Sequence, residues 1–506
     1  MKNTIKTIPR EKRITKEPET FEEWVEIHGE PEYIEDIDPY ASEVFDYEVF
    51  HMGEDFIIED DNPIDPQSIY ILSPKGKLDI NYINFVDYFI SELRCVYCNG
   101  HFYTPDGIVN SGNIRKQIID FLGEADFSRP LDSMVNSIFN MLKDRCYIEK
   151  LAVNENVIPF ANGDLHVPKN KKWTFYEGLK QQAPYRLKAN FDHRAKRVKP
   201  LFDKWLRDTF YREDIDTIQE ILGYCLIPNT SAQEAFFIVG DAGVGKSGLG
   251  AILEALWGNA FEPMETQSLV TGRFQLSKAE NKLVVYDDDL GTAALTETSV
   301  LKKLITSDQK IAAERKFLDP YTFKSYCKII ACTNIMLSSL YDDTDGFFRR
   351  LHPILVKPKN EKRKTIKNFY QMILEEEKEA IIWWALLGLK RLQENGYKIS
   401  WSERSKEYFT VIRSQSNYMD EFFQDTIEYN SNGNIATAEF KKLYDKWCKE
   451  NAISPIADRK FNRWLSENED RLKIKYDKNI IRGRIKLRGY QNISIKREWK
   501  AKIGIK

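Results

Sequence analysis

Two apolar periods take turns along this chain. Over residues 82–93, Tyr82, Phe85, Val86, Phe89, Ile90 and Leu93 recur at helical spacing, and 114–122 and 131–143 repeat the pattern. Between these, 96–109 reads as a hairpin turning at Thr104-Pro105-Asp106-Gly107, and 157–167 sets Asn162-Gly163 between apolar runs. Leu201, Phe202, Trp205, Leu206 and Phe210, then Ile215, Ile218, Ile221, Leu222 and Leu226, make 200–228 helical. From 234 to 358 short unbroken apolar runs alternate with helical stretches, which predicts an α/β domain on a parallel sheet. A helix with a strong apolar stripe is predicted over 375–395, and a polar helical connector over 402–429. Last come helices at 437–451 and 458–467, split by Ile453-Ser454-Pro455, and alternating segments at 472–476 and 481–487. Helix, turn, helix and a two-stranded wing predict a winged helix over 433–506.

A chain of 506 residues is too long for one core, so several domains are expected. No apolar run reaches the length of a membrane span, 380–389 being the best, and the first residues lack a secretory apolar stretch. Seven scattered cysteines fit a reducing cytoplasm, where the protein is expected to reside. Cys95-Val96-Tyr97-Cys98 with His101 has no second paired cluster to complete a zinc site, so these cysteines are expected to pack as small apolar residues.

The net charge of −3 averages two opposite ends. Residues 17–65 hold no Lys or Arg, whereas 471–506 hold thirteen against Asp477 and Glu498 alone. The acidic stretch, with its scattered aromatics, is expected to be a mobile arm over 1–65 that docks on a partner or on the protein's own basic surfaces. The basic end points to nucleic acid. In the wing reading, the second helix with Arg459, Lys460 and Arg463 enters the major groove, and Arg482, Arg484 and Lys486 hold phosphate.

The chemistry starts at Gly240-Asp241-Ala242-Gly243-Val244-Gly245-Lys246-Ser247, between an apolar run and an amphipathic one. This is the G-x-x-x-x-G-K-[ST] phosphate loop, continued by Gly248. Its glycines let backbone N–H groups turn in on a polyphosphate, Lys246 reaches the β/γ-phosphates, and Ser247 can ligate Mg²⁺. ATP with Mg²⁺ is therefore the expected ligand pair. Some forty residues on, a strand ends in Asp287-Asp288-Asp289. Asp287 is expected to hold the metal and Asp288 the attacking water, although three successive aspartates leave the roles open by one position. A further apolar run ends at Asn334, suited to positioning that water, and Arg349-Arg350 beyond it are candidates for an arginine finger that reaches a neighbouring subunit's γ-phosphate.

Taken in order, these motifs resemble the superfamily 3 helicases, and within them the phage/plasmid/poxvirus primase–helicase family. Gly272-Arg273-Phe274, Leu304-Ile305-Thr306-Ser307-Asp308, Asn162-Gly163-Asp164-Leu165 and Leu222-Gly223-Tyr224-Cys225-Leu226 add to the likeness, which spans roughly 75–395. In size and layout the chain is similar to the self-loading replication-initiator helicases of staphylococcal pathogenicity islands and related mobile elements. The resemblance implies an AAA+-type core at 233–358, a mixed helicase-associated domain at 66–232, and a helical subdomain and connector at 359–432 ahead of the winged helix. It implies a homo-hexamer moving 3′→5′ on single-stranded DNA in a central channel. In such a ring a hairpin carrying Arg315, Lys316 and Phe317 grips the strand, Lys316 on phosphate and Phe317 on sugar or base. The winged helix then binds origin duplex, and a primase or other replication protein is a candidate partner for the acidic arm. Members with a primase domain carry it N-terminally; here only the acidic arm stands there, and no primase activity is expected. The rival reading is an ATP-regulated origin-binding protein with little unwinding of its own.

Overall fold

In the computed structural model of the chain, the described residues are 47–51, 65–123, 125–195, 200–272, 274–290, 298–306, 309–316, 319–334, 348–359, 366–416, 418–451, 455, 458–482 and 485–504. They fall into two compact units, one reaching Asn334 and resuming over Arg349–Lys406, the other built on 407–504. The expected arm is outside the description over 1–46 and 52–64, and so are Arg273, Ser307, Asp308, Phe317 and Arg484.

In the first unit, a fragment of the acidic stretch is ordered as strand β1 (Tyr47–His51). A hairpin of β2 (Tyr70–Leu72) and β3 (Leu78–Ile80) follows, then helix α1 (Tyr82–Leu93), where the expected apolar stripe lies. The Asn81 carboxamide starts that helix by accepting from the Ile83 and Asn84 N–H groups at 3.1 and 3.3 Å. The 96–109 stretch makes three antiparallel strands, β4 (Val96–Cys98), β5 (His101–Thr104) and β6 (Gly107–Val109), with Thr104–Gly107 as the second turn. Helices α2 (Ser111–Leu122) and α3 (Leu131–Arg145) close this body around Phe85, Phe102, Ile118 and Ile138.

Next, β7 (Val157–Phe160), β8 (Gly163–His166) and β9 (Trp173–Glu177) form an antiparallel meander. Strand β1 pairs with β9 in parallel, Tyr47 opposite Trp173, and Glu48 meets Lys172 at 2.7 Å. Part of the acidic stretch thus covers the open edge of the protein's own sheet. Helices α4 (Pro200–Thr209) and α5 (Ile215–Tyr224) then lead into the central sheet.

That sheet has five strands: β10 (Ala235–Val239), β11 (Phe261–Pro263), β12 (Val284–Asp287), β15 (Lys328–Thr333) and β16 (Leu351–Leu355). A separate hairpin, β13 (Ile311–Ala313) with β14 (Tyr321–Phe323), is inserted before β15. The order is β11-β12-β15-β10-β16, every pair parallel. β10, β12 and β15 are buried at every position, as expected for strands covered on both faces. Helix α6 (Ser247–Trp257) follows β10, α7 (Thr266–Thr271) follows β11, and α8 (Thr298–Thr306) precedes the hairpin.

The helix expected over 375–395 is α10 (Lys378–Glu394), and a shorter helix, α9 (Phe369–Glu376), precedes it. Glu377, between them, is 2% exposed, and its carboxylate accepts from the Leu201 and Phe202 N–H groups at 3.0 and 2.7 Å. A buried acid thus neutralises the orphan donors at the start of α4. α10 crosses α5 at two glycines: a Cβ on Gly388 would lie 2.1 Å from the Gln219 carbonyl oxygen, and one on Gly223 2.4 Å from that of Ala385. Helix α11 (Glu403–Ser416) follows.

In the second unit, α12 (Tyr418–Thr426), β17 (Ile427–Ala436), α13 (Thr437–Glu450), α14 (Asp458–Glu467), α15 (Glu469–Leu472), β18 (Lys475–Arg482), β19 (Ile485–Ile495) and α16 (Arg497–Ile503) follow one another. The helices at 437 and 458 lie where expected. Two features differ from the sequence reading. The last expected strand pair is shifted onward, because Glu469–Leu472 continues as a helical turn, and β17, which starts inside the polar helical connector expected over 402–429, was not expected. β17 completes an antiparallel sheet in the order β17-β19-β18. Its burial pattern explains the miss: Ile427, Ile435 and Ala436 are buried and the middle is exposed, so no alternation marks it.

Candidate functional site

The end of β10 fixes where a ligand can sit. β10 lies between β15 and β16, and the 240–246 loop leaves its carboxyl end and opens α6, in the crevice where parallel sheets bind ligands. Gly240, Gly243 and Gly245 have φ of 153°, 76° and 107°, a path that side-chain-bearing residues rarely follow. A Cβ on Gly243 would meet nothing within 4 Å, so the loop's mouth is open. Three groups from outside the motif support the loop from below. The Trp205 indole N–H donates to the Gly245 carbonyl at 3.1 Å, the Thr209 hydroxyl approaches the Val244 carbonyl at 3.5 Å, and the Tyr286 hydroxyl lies 3.3 Å from the Lys246 carbonyl.

Lys246 is 7% exposed, and its ammonium turns back across the loop. It donates to the Gly240 carbonyl, to the Asp241 carbonyl at 2.7 Å and to Asn334 Oδ1 at 2.7 Å. Desolvation lowers its pKa, while the neighbouring Cys332, Asp241, Asp289 and Asp288 oppose that fall. Asn334 stands at the tip of β15, brought beside the loop because Gly240 N–H donates to the Thr333 carbonyl at 3.1 Å. So the loop lysine and the amide, 88 residues apart, meet at one point.

The aspartates at the end of β12 are sorted by register. Asp287 is the last strand residue and 4% exposed. Its carboxylate accepts from the Thr266 N–H at 2.6 Å, at the start of α7, and from the Asp289 N–H at 3.3 Å. Asp288 faces outward, its Oδ2 3.5 Å from the Ser247 hydroxyl, and Asp289 is likewise exposed. Asp288, Asp289, Ser247, Lys246 and Asn334 share a cleft of about 570 Å³ with the loop backbone. Its other wall is Lys204 and Asp208 of α4, Pro358 and Lys359 after β16, and Ile366, Phe369 and Tyr370 at α9. Lys204 and Asp208 pair at 2.9 Å. None of this wall carries a motif. The only signal for it is an aromatic pair at the start of a helix 120 residues beyond the loop, which a long-range contact alone brings to the cleft.

The residues present fit a nucleoside triphosphate with a divalent cation. Left-handed glycines open the backbone to phosphate, a cation is held over the loop, and a hydroxyl and an outward carboxylate stand side by side. Among the described residues no cluster of three or more His, Cys, Asp or Glu side chains is placed to hold a metal ion. Cys95 touches Cys146 at 3.5 Å in a packed core, and Cys98 Sγ lies 3.7 Å from the Glu149 carbonyl.

Arg349 and Arg350 lie at the far end of the sheet from this cleft. Arg350 immediately precedes β16, and its carbonyl accepts from the Ala235 N–H at 2.8 Å, at the start of β10. The loop follows the end of the same β10, roughly 15 Å further for five residues. The β13–β14 hairpin is tied to the core through Arg315. That guanidinium donates to the Glu280 carboxylate and the Asn99 carbonyl and sits 4.7 Å over the Tyr321 ring. Glu280 also accepts from the Tyr321 hydroxyl at 2.7 Å. Lys316, next to this anchor, is exposed. In the second unit Arg459, Lys460 and Arg463 lie along α14, Arg482 ends β18, and Lys486 is exposed on β19.

Residues 238–350 match a family described as of unknown function, DUF5906. That match covers less than half of the chain. A search of curated proteins returns no match. Among solved structures, the apo C-terminal region of NrS-1 is similar at 13% identity, with a TM-score of 0.46, over 81% of this chain and 98% of that one. A second form of that region gives 12%, 0.40, 75% and 83%. JCV helicase gives 17% identity and a TM-score of 0.26 over 40% of this chain and 57% of that one. At these values none of the likenesses assigns a function to this chain. Among the described residues no helix is long and apolar enough to cross a membrane.

Proposed function

We propose that this chain is an ATP-driven replicative DNA helicase that works as a homo-hexameric ring and initiates replication of a mobile element. The observation that carries the reading is that Lys246, Asn334, Ser247 and Asp288 converge on one cleft while Arg349 and Arg350 stand at the opposite edge of the same sheet. A phosphate loop that its own arginines cannot reach is half of a site. A second copy of the chain, presenting its Arg349/Arg350 edge to this cleft, completes it.

In that site the loop N–H groups and Lys246 hold the β- and γ-phosphates. Mg²⁺, when bound, neutralises developing charge on the phosphate oxygens. Asp288 with Ser247 is assigned to the metal, in place of the expected Asp287, because Asp288 alone of that pair faces the hydroxyl. Asp287 is a positioning residue that ties β12 to α7. Asn334 orients the attacking water once the γ-phosphate draws Lys246 away from it, and Asp289 is the carboxylate placed to accept that water's proton. Arg350, or Arg349, of the neighbour then offsets charge on the transferring group.

Hydrolysis around the ring moves the β13–β14 hairpins along single-stranded DNA. Lys316 carries the phosphate contact, and Arg315 anchors the hairpin's base. In the second unit, α13, α14 and the β18–β19 ribbon are assigned as a winged helix for origin duplex. The acidic arm remains a candidate surface for a primase or another replication protein.

Unwinding of a forked duplex by wild type, Lys246→Ala and Lys316→Ala tests the proposal. Wild type should displace the strand with ATP. Lys246→Ala should lose both hydrolysis and unwinding, and Lys316→Ala should keep hydrolysis without unwinding. Hydrolysis by wild type with no strand displaced would leave the ATP-regulated origin binder in its place.

A further inference from the structure

The β18–β19 ribbon outruns its sheet. β17 pairs with β19 only from Ile495 back to Gly489, where Ala436 is the last partner. Beyond it Ile480, Ile481 and Arg482 pair with Leu487, Lys486 and Ile485 and, among the described residues, with no third strand. Directly opposed residues share a face and successive residues alternate faces. Ile481 therefore lies with Lys486 on one face of this arm, and Ile485 on the other. Ile481 is 69% exposed and Ile485 63%, the two most exposed isoleucines among the described residues. Ile480, one residue away, is 3% exposed.

A protruding ribbon gains nothing in stability from a bare isoleucine on each face. Along the sequence, 475–488 carries Lys475, Lys478, Arg482, Arg484, Lys486 and Arg488 against Asp477 alone. That alternation of cation and bare apolar side chain matches a surface of phosphates flanking a narrow stack of bases. We propose that the arm enters the minor groove of duplex DNA and wedges Ile481 and Ile485 against a base step, bending the duplex. This rests on the assignment of the second unit to duplex DNA and adds the groove, the deformation and the two residues. Flexible steps such as TA cost least to unstack, so the arm favours A·T-rich duplex.

The test uses the full-length chain and a duplex of about 30 bp, short against the persistence length of DNA, with a central run of TA steps and a dye at each end. Wild type should raise energy transfer between the dyes. An Ile481→Ser/Ile485→Ser double variant, altered only at exposed positions, should bind about tenfold more weakly, leave the ends apart and keep the wild-type salt dependence. A Lys486→Ala/Arg488→Ala variant should lower the salt slope by about two. A duplex that wild type leaves straight, or that the double isoleucine variant bends as well as wild type, overturns the wedge. Equal bending with a smaller oligomer in light scattering would assign the isoleucines to a second copy of the chain, which also overturns it. If instead the Lys486/Arg488 variant binds with unchanged affinity and slope, the duplex-binding assignment itself fails.

Discussion

Lys246, Asp287 and Asp288 show how one residue's surroundings settle its work. The ammonium that would meet phosphate is held meanwhile by Asn334 and two carbonyls, so the loop is shaped before a ligand arrives. Lys246→Ala is expected to cut ATP hydrolysis on the order of 100-fold or more in kcat/KM, read in a steady-state assay. The two aspartates should separate cleanly. Asp288→Asn should raise the Mg²⁺ concentration for half-maximal hydrolysis by about tenfold or more and leave the melting temperature alone. Asp287→Asn turns an amide N–H toward the Thr266 or Asp289 N–H, two donors face to face, and should cost about 1–3 kcal/mol of stability in a denaturant titration. Equal metal dependence in the two variants would reverse the assignment. Their neighbourhood was legible in the sequence, since a strand ending in carboxylates downstream of a phosphate loop says what the carboxylates meet. The position was not, because Asp287 ends β12 and Asp288 follows it, and only the strand's register buries the first and exposes the second.

Lys328 carries a second residue-scale consequence, at the start of β15. Fully buried, it donates to the Ile227 carbonyl and to that of Tyr326 at 3.2 Å, and stands 5.0 Å from the Tyr224 ring. Burial lowers its pKa to about 8 from 10.5, with the nearby Cys225, Cys327 and Glu155 opposing that fall. Between those values the unfolded chain binds the proton that the folded chain has released, so this group makes stability rise with pH from about 8 to about 10.5. Below about 8 both states are protonated and the penalty is full. Melting temperatures across that window should show the rise, and Lys328→Met should flatten it.

At the scale of elements, the α5–α10 crossing and the β13–β14 hairpin decide the placement of everything near the cleft. Gly223 and Gly388 let two helices meet backbone to backbone, so Gly388→Val must push them apart and should cost about 3 kcal/mol or more by chemical denaturation. The Leu222-Gly223-Tyr224 stretch was visible as helix in the sequence, but the need for glycine came only from a partner 165 residues away. The hairpin was expected only through the resemblance to the superfamily 3 helicases. What the chain's order could not show is that Arg315 spends its charge on Glu280, leaving Lys316 as the free cation of the described pair. Glu280→Gln should loosen the hairpin, lowering strand displacement per ATP hydrolysed while hydrolysis continues. The periodic helices were read nearly to the residue because their apolar faces repeat. β17 escaped because its middle is exposed on both faces.

For the whole molecule, the features that bear on partners are the charge asymmetry and the separation of the loop from Arg349 and Arg350 along the sheet. The basic end, 471–506, is a polyelectrolyte ligand, so duplex binding should weaken steeply with salt. The acidic stretch is partly spent on the protein itself, as β1 closes the edge of β9 with the help of Lys172 and Glu48. The proposed function has the site at β10 completed by another subunit's arginine. It is tested most directly by mixing two inactive variants, Lys246→Ala and Arg350→Ala, and measuring ATP hydrolysis, with Arg349→Ala in a parallel mixture. If neighbours complete each other's sites, an equimolar mixed ring pairs an intact loop with an intact arginine at about a quarter of its interfaces, and hydrolysis returns to about that fraction of wild type. If mixing either arginine variant with Lys246→Ala restores nothing, each chain works with its own residues and the shared site is wrong.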